Sequence, residues 1–455
     1  MALALHRVGP EQQGRQSDAE GWRLLYVGAT VKILMWGEAR NGACSHYRGG
    51  QFYEVWRSLG HEVKNADIHA RGELVDASGK PVDEGATPAQ LRERMADGTW
   101  RLDVAMSFEP IEWADVIFFR RDYSTNYACS LDPDECDFRT EDPYVAMQHK
   151  HKLRPRKDSV TPPVFRELLK LSDRPAIVYD SDDYLISDKK MRWNGLWADF
   201  YAHRHLALEM AQGADLLTVS TPGLEKLYRH TNPNRRVIRN AIQPEWYVTE
   251  LPRPERPKPL LLYYGSAVRM RDFAGYPNEL TRKLEGGFAA KAVADLAHEL
   301  DTMFMGCEEG WESEVKSAGF KHIVGFTRGL EKFANALTAT HADIGIAPLL
   351  GDEFDSGKSE LHWLEFTMIG AATLASEMRG GGPYNMIRHG VDGMLAHGRQ
   401  DWYDGLKRLI REPNLRADIV AGARERVLAE YDYHNRALEW LSAFEWAIAN
   451  KRPPS

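Results

Sequence analysis

The chain has 455 residues, 58 Lys and Arg against 66 Asp and Glu, and a hydrophobic fraction of 43%. This composition excludes wholesale disorder, collagen-like and low-complexity architectures, and the length allows two or three domains that each bury a core. The formal charge of −8 argues against a surface built throughout for nucleic acid or anionic membrane, although a local basic patch could still serve either.

Cys44, Cys129, Cys136 and Cys307 include no C-x2-C pair, so neither a disulfide scaffold nor a thiolate zinc site is supported and a reducing, cytoplasmic setting is expected. No apolar run reaches the roughly 18 residues of a membrane span, and the start MALALHRVGPEQQ has too short an apolar stretch for a secretory signal. Residues 1–30 read as an extension outside the fold. The first strong strand is predicted over Val31–Trp36. A glycine-bearing loop follows, and then a helix with Phe52, Val55, Trp56 and Leu59 at helical spacing, stopped by Gly60 before a strand at Val63.

Further short apolar strands are predicted at Ala114–Phe119, Ala176–Tyr179, Leu216–Ser220 and Val237–Ile238. They are separated by helix-length segments, as in a parallel sheet covered on both faces. The polar stretch Asp122–Thr161 is too long for a plain connection and marks a functional or mobile insertion. PRPERPKP, at 252–259, has four prolines in eight residues and forms a stiff spacer, so a domain boundary is placed at 251–259.

After the spacer the pattern restarts. Strands are predicted at Leu260–Tyr264, Thr302–Met305, Ile323–Phe326, Ile344–Ala347 and Ala372–Ala375, with helices near Phe288–Leu300, Leu330–Leu337 and Ser359–Ile369. The fold class is therefore α/β, with two Rossmann-like doubly wound halves over 31–250 and 260–431 facing each other across a cleft. Ala437, Leu438, Leu441, Phe444 and Ile448, beside Trp440 and Trp446, form the apolar stripe of a closing helix within 432–450 that needs a groove.

Ligands of open α/β sheets bind at the carboxyl ends of the strands, where the informative residues gather. YYGSAVRMRD sets Gly265 and Ser266 directly after a strand with Arg269 and Arg271 in reach, which reads either as a phosphate cradle or as a turn with solvated arginines. In ADIGIAPLLGDEFDSGKSELHWLE, Lys358 and Ser359 open a helix that carries Glu365. A lysine at a helix start suits a diphosphate, and a carboxylate further along can accept both hydroxyls of a ribose. The loop RGGGPYNMI follows, with Gly380, Gly381, Gly382 and Tyr384, and its glycines permit close approach of backbone amides to a ligand.

The ordered motifs ADIGIAPL, KSELHWLE and ASE…PYNMIRHGVDGMLA, with GADLLTVSTPGLEKLY and VIRNAIQPEWY upstream, resemble the GT-B glycosyltransferases, specifically the retaining family-four type, over about residues 31–447. The resemblance implies a UDP- or GDP-sugar donor held by the C-terminal half, an acceptor held by the N-terminal half, and a final helix that crosses back to the first domain. It implies no cofactor and no metal. Glu365 matches the second glutamate of the family's E-x7-E motif and would hold the donor ribose, while Lys358 and Arg269 or Arg271 would balance the diphosphate. The first glutamate is replaced by Gly357, so contact to the donor sugar falls to Glu353, Asp355 or backbone.

In the N-terminal half, GEARNGACSHYRGGQF resembles the loop facing donor phosphates and acceptor, with Tyr47 and Arg48 as acceptor-side candidates or simple helix-start residues. VYDSDDYL puts Asp180, Asp182 and Asp183 at a strand end, where Asp180 would orient the acceptor and Asp182 or Asp183 would take part in catalysis. A plain N-cap with solvated aspartates is the other reading. Asp180-Ser181-Asp182 also reads as the D-x-D of metal-dependent GT-A enzymes, a fold that leaves the second half unexplained. The acceptor is expected to be a saccharide or small molecule. The basic run HKHKLRPRK (149–157) keeps open an anionic one, such as a phospholipid, an acidic polysaccharide or a hydroxymethylated base in DNA, and a non-catalytic nucleotide or glycan binder is the reading from another class.

Overall fold

A computed structural model describes residues 29–36, 43–65, 71–76, 100–105, 109–120, 161–187, 195–248, 252–265, 269–277, 284–307, 310–327 and 329–454. In chain order the first half supplies β1 (Lys32–Trp36), β2 (Glu62–Asn65), an antiparallel pair β3 (Arg71–Asp76) and β4 (Trp100–Ala105), β5 (Val116–Arg120), β6 (Ala176–Ser181), β7 (Leu216–Val219) and β8 (Arg235–Val237). Six of these form one parallel sheet of order β2-β1-β5-β6-β7-β8. The second half supplies β9 (Leu260–Tyr264), a short antiparallel pair β10 (Gly275–Pro277) and β11 (Leu284–Gly286), then β12 (Asp301–Cys307), β13 (His322–Gly325), β14 (Ile344–Ala347), β15 (Ala372–Ser376) and β16 (Met394–Ala396). Its parallel sheet has the order β13-β12-β9-β14-β15-β16. The expected α/β architecture of two doubly wound sheets is what the chain adopts.

Both faces of each sheet are apolar, which is why the strands read as continuous hydrophobic runs. In β1, Leu34 and Trp36 face one layer with Phe119, Phe165 and Met210, while Ile33 and Met35 face the opposite one with Phe52, Trp56 and Phe118. That opposite layer is closed by the C-terminal helix Tyr433–Ala449, whose Trp440, Leu441, Phe444 and Ala447 are fully buried. Trp56 Nε1 donates to the Ala437 carbonyl at 3.0 Å, and the Phe118 and Trp440 rings lie 4.8 Å apart, edge to face. The last helix of the chain thus completes the core of the first sheet. In the second half Leu261 and Tyr263 pack under the helices Phe288–Asp295 and Arg399–Arg411, while Leu260, Leu262 and Tyr264 pack against Leu361–Met368 and Pro413–Glu430.

The two halves touch through specific groups. Ile242 N donates to Tyr431 O at 2.9 Å, Thr221 Oγ1 donates to Gly357 O at 3.3 Å, and Arg239 pairs with the buried Glu360 at 2.6 Å. Gly223 is required at this seam, because a Cβ there would stand 2.1 Å from the Ser356 carbonyl oxygen. Among the described residues no helix is long and apolar enough to cross a membrane.

Candidate functional site

In each sheet the chain reverses its winding direction beside the first strand: β1 is flanked by β2 and β5, and β9 by β12 and β14. Such switch points open a crevice at the carboxyl ends of the strands. A cleft of about 980 Å³ lies there, with His46, Tyr47 and Trp246 on the side of the first half and Tyr264, Gly265, Arg269, Lys358, Ser359, Glu365 and Tyr384 on the side of the second. Seven of the residues expected at a donor or acceptor site therefore share one cavity. Gly265 has φ +148 and Gly306 φ +98, and a Cβ on Gly306 would lie 2.6 Å from the Gly265 carbonyl oxygen, so the ends of β9 and β12 meet backbone to backbone at the cleft floor.

Glu365, on the helix Leu361–Met368, is 4% exposed and is surrounded by tyrosines. Its Oε1 accepts from Tyr47 at 2.5 Å and Tyr247 at 3.3 Å, and its Oε2 accepts from the Tyr264 hydroxyl. Burial raises the carboxyl pKa, and the three hydroxyl donors oppose that rise. Burial, followed by the charge of Glu365, pushes all three phenols up, so they remain protonated donors. Sequence reading missed Tyr247 and Tyr264. The available signal was the position of Tyr264 as the last residue of an apolar strand, where a hydroxyl reaches the strand-end crevice.

Lys358 Nζ sits 2.9 Å from Asp183 Oδ1 and 4.0 Å above the Phe354 ring, an ion pair that joins the two halves at the cleft. Arg269 pairs with Asp272 at 2.9 Å. His362 was also missed. Burial, then the charge of Arg269, lowers its pKa to about 3, and its neutral ring links the Tyr384 hydroxyl at 3.2 Å to the Tyr264 carbonyl at 3.3 Å. His46 stacks on Trp246 with ring centroids 4.3 Å apart, and burial lowers its pKa to about 4.

Several expectations are corrected by the geometry. Arg48 and Asp180, expected at the acceptor, are both fully buried: Nε–Oδ2 is 2.9 Å, Nη2–Oδ1 is 2.6 Å, and Thr218 donates to Oδ1 at 2.7 Å. With the Trp440 ring 4.9 Å from the guanidinium, they form a core ion pair with no path to a substrate. The D-x-D reading of Asp180-Ser181-Asp182 loses its first carboxylate for the same reason, whereas Asp182 is half-buried at the strand-end turn. Asp355 is 5% exposed and spends Oδ2 on the Leu350 and Gly351 amides, both at 2.9 Å, so it pins a loop and does not line the cleft. The helix carrying Glu365 begins at Leu361 after an N-cap at Glu360, not at Lys358–Ser359. Glu353, Gly381 and Gly382 line a separate cavity. Ser266, the Arg271 side chain and the basic run 149–157 lie outside the described residues.

Residues 291–442 match a family described as glycosyl transferase-like. The chain thus carries a glycosyl transferase-like domain within a GT-B fold. The solved structures it resembles include sucrose-phosphate synthase from Thermosynechococcus elongatus, with 13% identity over 92% of this chain and 99% of that one and a TM-score of 0.52. Anabaena HepE, solved with UDP and glucose, shares 12% identity over 91% and 99% with a TM-score of 0.50. WaaG, a glycosyltransferase involved in lipopolysaccharide biosynthesis, shares 12% over 90% and 99% with a TM-score of 0.51. At such identities the likeness is one of fold. No curated protein matches the chain. The glycosyl transferase-like match spans Lys358, Glu365 and Tyr384 of the second-half wall, whereas Tyr264, Gly265 and Arg269 precede it.

Proposed function

We propose that this protein is a glycosyltransferase that moves a sugar from a UDP- or GDP-linked donor to the hydroxyl of a saccharide or small-molecule acceptor, in the cytoplasm, with retention of anomeric configuration and without a metal. The observation that carries the reading is the joint presence of Lys358, Arg269 and Glu365 in one cleft at the switch point of the second sheet. Residues 260–431 hold the donor, 31–250 hold the acceptor, and 251–259 act as the hinge.

Lys358 and Arg269 meet the negative charge of the diphosphate, with the strand-end backbone at Gly265 beside them, and that charge grows as the sugar–oxygen bond breaks. Glu365 exchanges tyrosine hydroxyls for the ribose diol. The acceptor hydroxyl attacks C1 on the face from which diphosphate departs, and its proton passes to a diphosphate oxygen, so no covalent protein nucleophile is required. Two basic side chains supply the counter-charge a divalent ion would otherwise bring, which is why metal independence belongs to the reading. HepE was solved with UDP and glucose, and a UDP-sugar is accordingly the first donor to try.

The test is a thermal-shift screen with UDP, GDP, ADP and their sugars, with and without EDTA, followed by donor hydrolysis and anomer assignment by NMR. A chelator-insensitive shift with one nucleotide and a retained anomer support the proposal. No shift with any nucleotide, or one abolished by EDTA, would overturn it.

A further inference from the structure

The cavity that holds Glu353, Gly381 and Gly382 measures about 640 Å³ and shares no lining residue with the cleft described above. It lies between the helix Pro222–Leu227 of the first half and the loops around 351–356 and 379–383 of the second. Its chemistry differs from that of the larger cleft. Tyr47, Trp246, Tyr264 and Phe333 give the larger cleft aromatic faces suited to a base, whereas no aromatic side chain lines the smaller cavity.

Charge is the second difference. Lys226, Arg229 and Arg379 are exposed at the smaller cavity, and none of them enters an ion pair with a described residue. Its fourth cation, Arg239, is held at 2.6 Å by Glu360. Of the two carboxylates present, Asp352 accepts from the Asp355 amide at 2.8 Å to cap a short helix, and Glu353 opens that helix. The glycine loop adds backbone donors: Gly380 has φ +87 and Gly381 φ +102, and the amides of Gly380 and Gly382 donate to no described group. Three cations and two unspent amides over one concave surface constitute an anion receptor.

We propose that this cavity is the acceptor subsite and that the acceptor carries an anionic group, a phosphomonoester or a carboxylate, held by Lys226, Arg229, Arg379 and the Gly380 and Gly382 amides. The proposal rests on the glycosyl-transfer reading above, because it assigns the donor diphosphate to Lys358 and Arg269 in the other cleft. It moves Glu353, Gly381 and Gly382 from the donor to the acceptor side. Both halves of the chain line the cavity, so an acceptor seated there is held only when the two halves are together.

The experiment titrates glucose 6-phosphate, glucuronate and glucose calorimetrically into the full chain, both free of nucleotide and saturated with UDP. The same is done for Lys226→Gln/Arg229→Gln/Arg379→Gln, whose substituted positions are exposed. The expected result is that at least one anionic probe binds about tenfold or more tighter than glucose, that raising salt weakens it, and that the triple variant loses about tenfold while its UDP affinity stays within about twofold. Preference for the phosphate or the carboxylate probe names the group. Equal binding of glucose and both anions, or full retention by the variant, overturns the proposal, and a parallel loss of UDP affinity overturns it by giving the cations to the donor. If the wild type binds no nucleotide, the donor reading fails, while the titration of nucleotide-free protein still decides whether the cavity receives an anion.

Discussion

The Tyr47 hydroxyl donates to Glu365 Oε1 at 2.5 Å across the seam between the two halves, so the group proposed to grip the donor ribose is gripped first by the protein itself. Tyr247 and Tyr264 complete the set, leaving both carboxylate oxygens engaged. A ribose diol must therefore compete with a hydroxyl that is already in place. Tyr47→Phe removes the competitor at the shorter contact of Oε1 and is expected to tighten UDP binding by roughly fivefold, from about 1 kcal/mol of hydrogen bond no longer displaced. Calorimetric titration checks this, and weaker binding in the variant would mean that Tyr47 touches the nucleotide directly.

Lys358 faces a similar exchange. Its ammonium is paired with Asp183 at 2.9 Å, and a diphosphate would take that partner's place. Lys358→Ala is expected to weaken nucleotide binding by about 1.5–3 kcal/mol, the range for a hydrogen bond to a charged group. Asp183→Asn is expected to act in the opposite direction on binding, with UDP affinity equal or higher, while turnover falls because the lysine is no longer positioned between substrates. Both affinities and kcat come from one set of titrations and progress curves. A loss of affinity in Asp183→Asn would place the acidic turn on the donor itself.

The Arg48–Asp180 pair makes a prediction of stability, not of activity. Both groups are fully buried and satisfy each other in a bidentate arrangement. Removing one partner strands a charge in the core at a cost of about 3–5 kcal/mol, whereas removing both restores much of it. Urea unfolding should show Arg48→Met and Asp180→Leu each strongly destabilised and the double variant recovered relative to either. Additive losses in the double variant would mean that the two residues act independently.

The same pair shows why the sequence was legible in one respect and opaque in another. Runs such as Leu260–Tyr264 and Ile344–Ala347 announce buried parallel strands through composition alone, and the stripe Ala437–Ile448 announces a helix that needs a groove. Whether an arginine that ends a short helix and an aspartate near a strand end meet a substrate or each other is decided by what covers them. Here the cover is Trp440, nearly four hundred residues from Arg48 along the chain. The tyrosines around Glu365 were hidden for a related reason, since Tyr47, Tyr247 and Tyr264 come from three distant segments and share no local pattern. Asp355 looked like a ligand group because its loop is acidic. Its fate was set by the Leu350 and Gly351 amides, which only the folded turn brings to it.

Asp355 also gives the chain a pH dependence with a definite sign. Burial, followed by the charges of Asp272 and Asp352, raises its pKa from 3.8 to about 7, so the folded protein holds a proton that the unfolded chain releases. The associated stability is fully present below about pH 3.8 and is lost as pH rises through about 7, where ionisation puts a charge beside Asp272. Asp355→Asn keeps an oxygen for the Leu350 and Gly351 amides but has no proton to lose. Its melting temperature should therefore lie close to the wild type at pH 4, rise above it progressively up to about pH 7 and level off beyond, with half of the change near about pH 5.4, midway between the two pKa values. His46 and His362, both held neutral by burial, act in the opposite sense between about pH 6.5 and 3–4, but they are common to both proteins and cancel in the difference. A difference in melting temperature that is flat from pH 4 to pH 8 would show that Asp355 is ionised throughout, with its charge carried by the loop amides and Lys358.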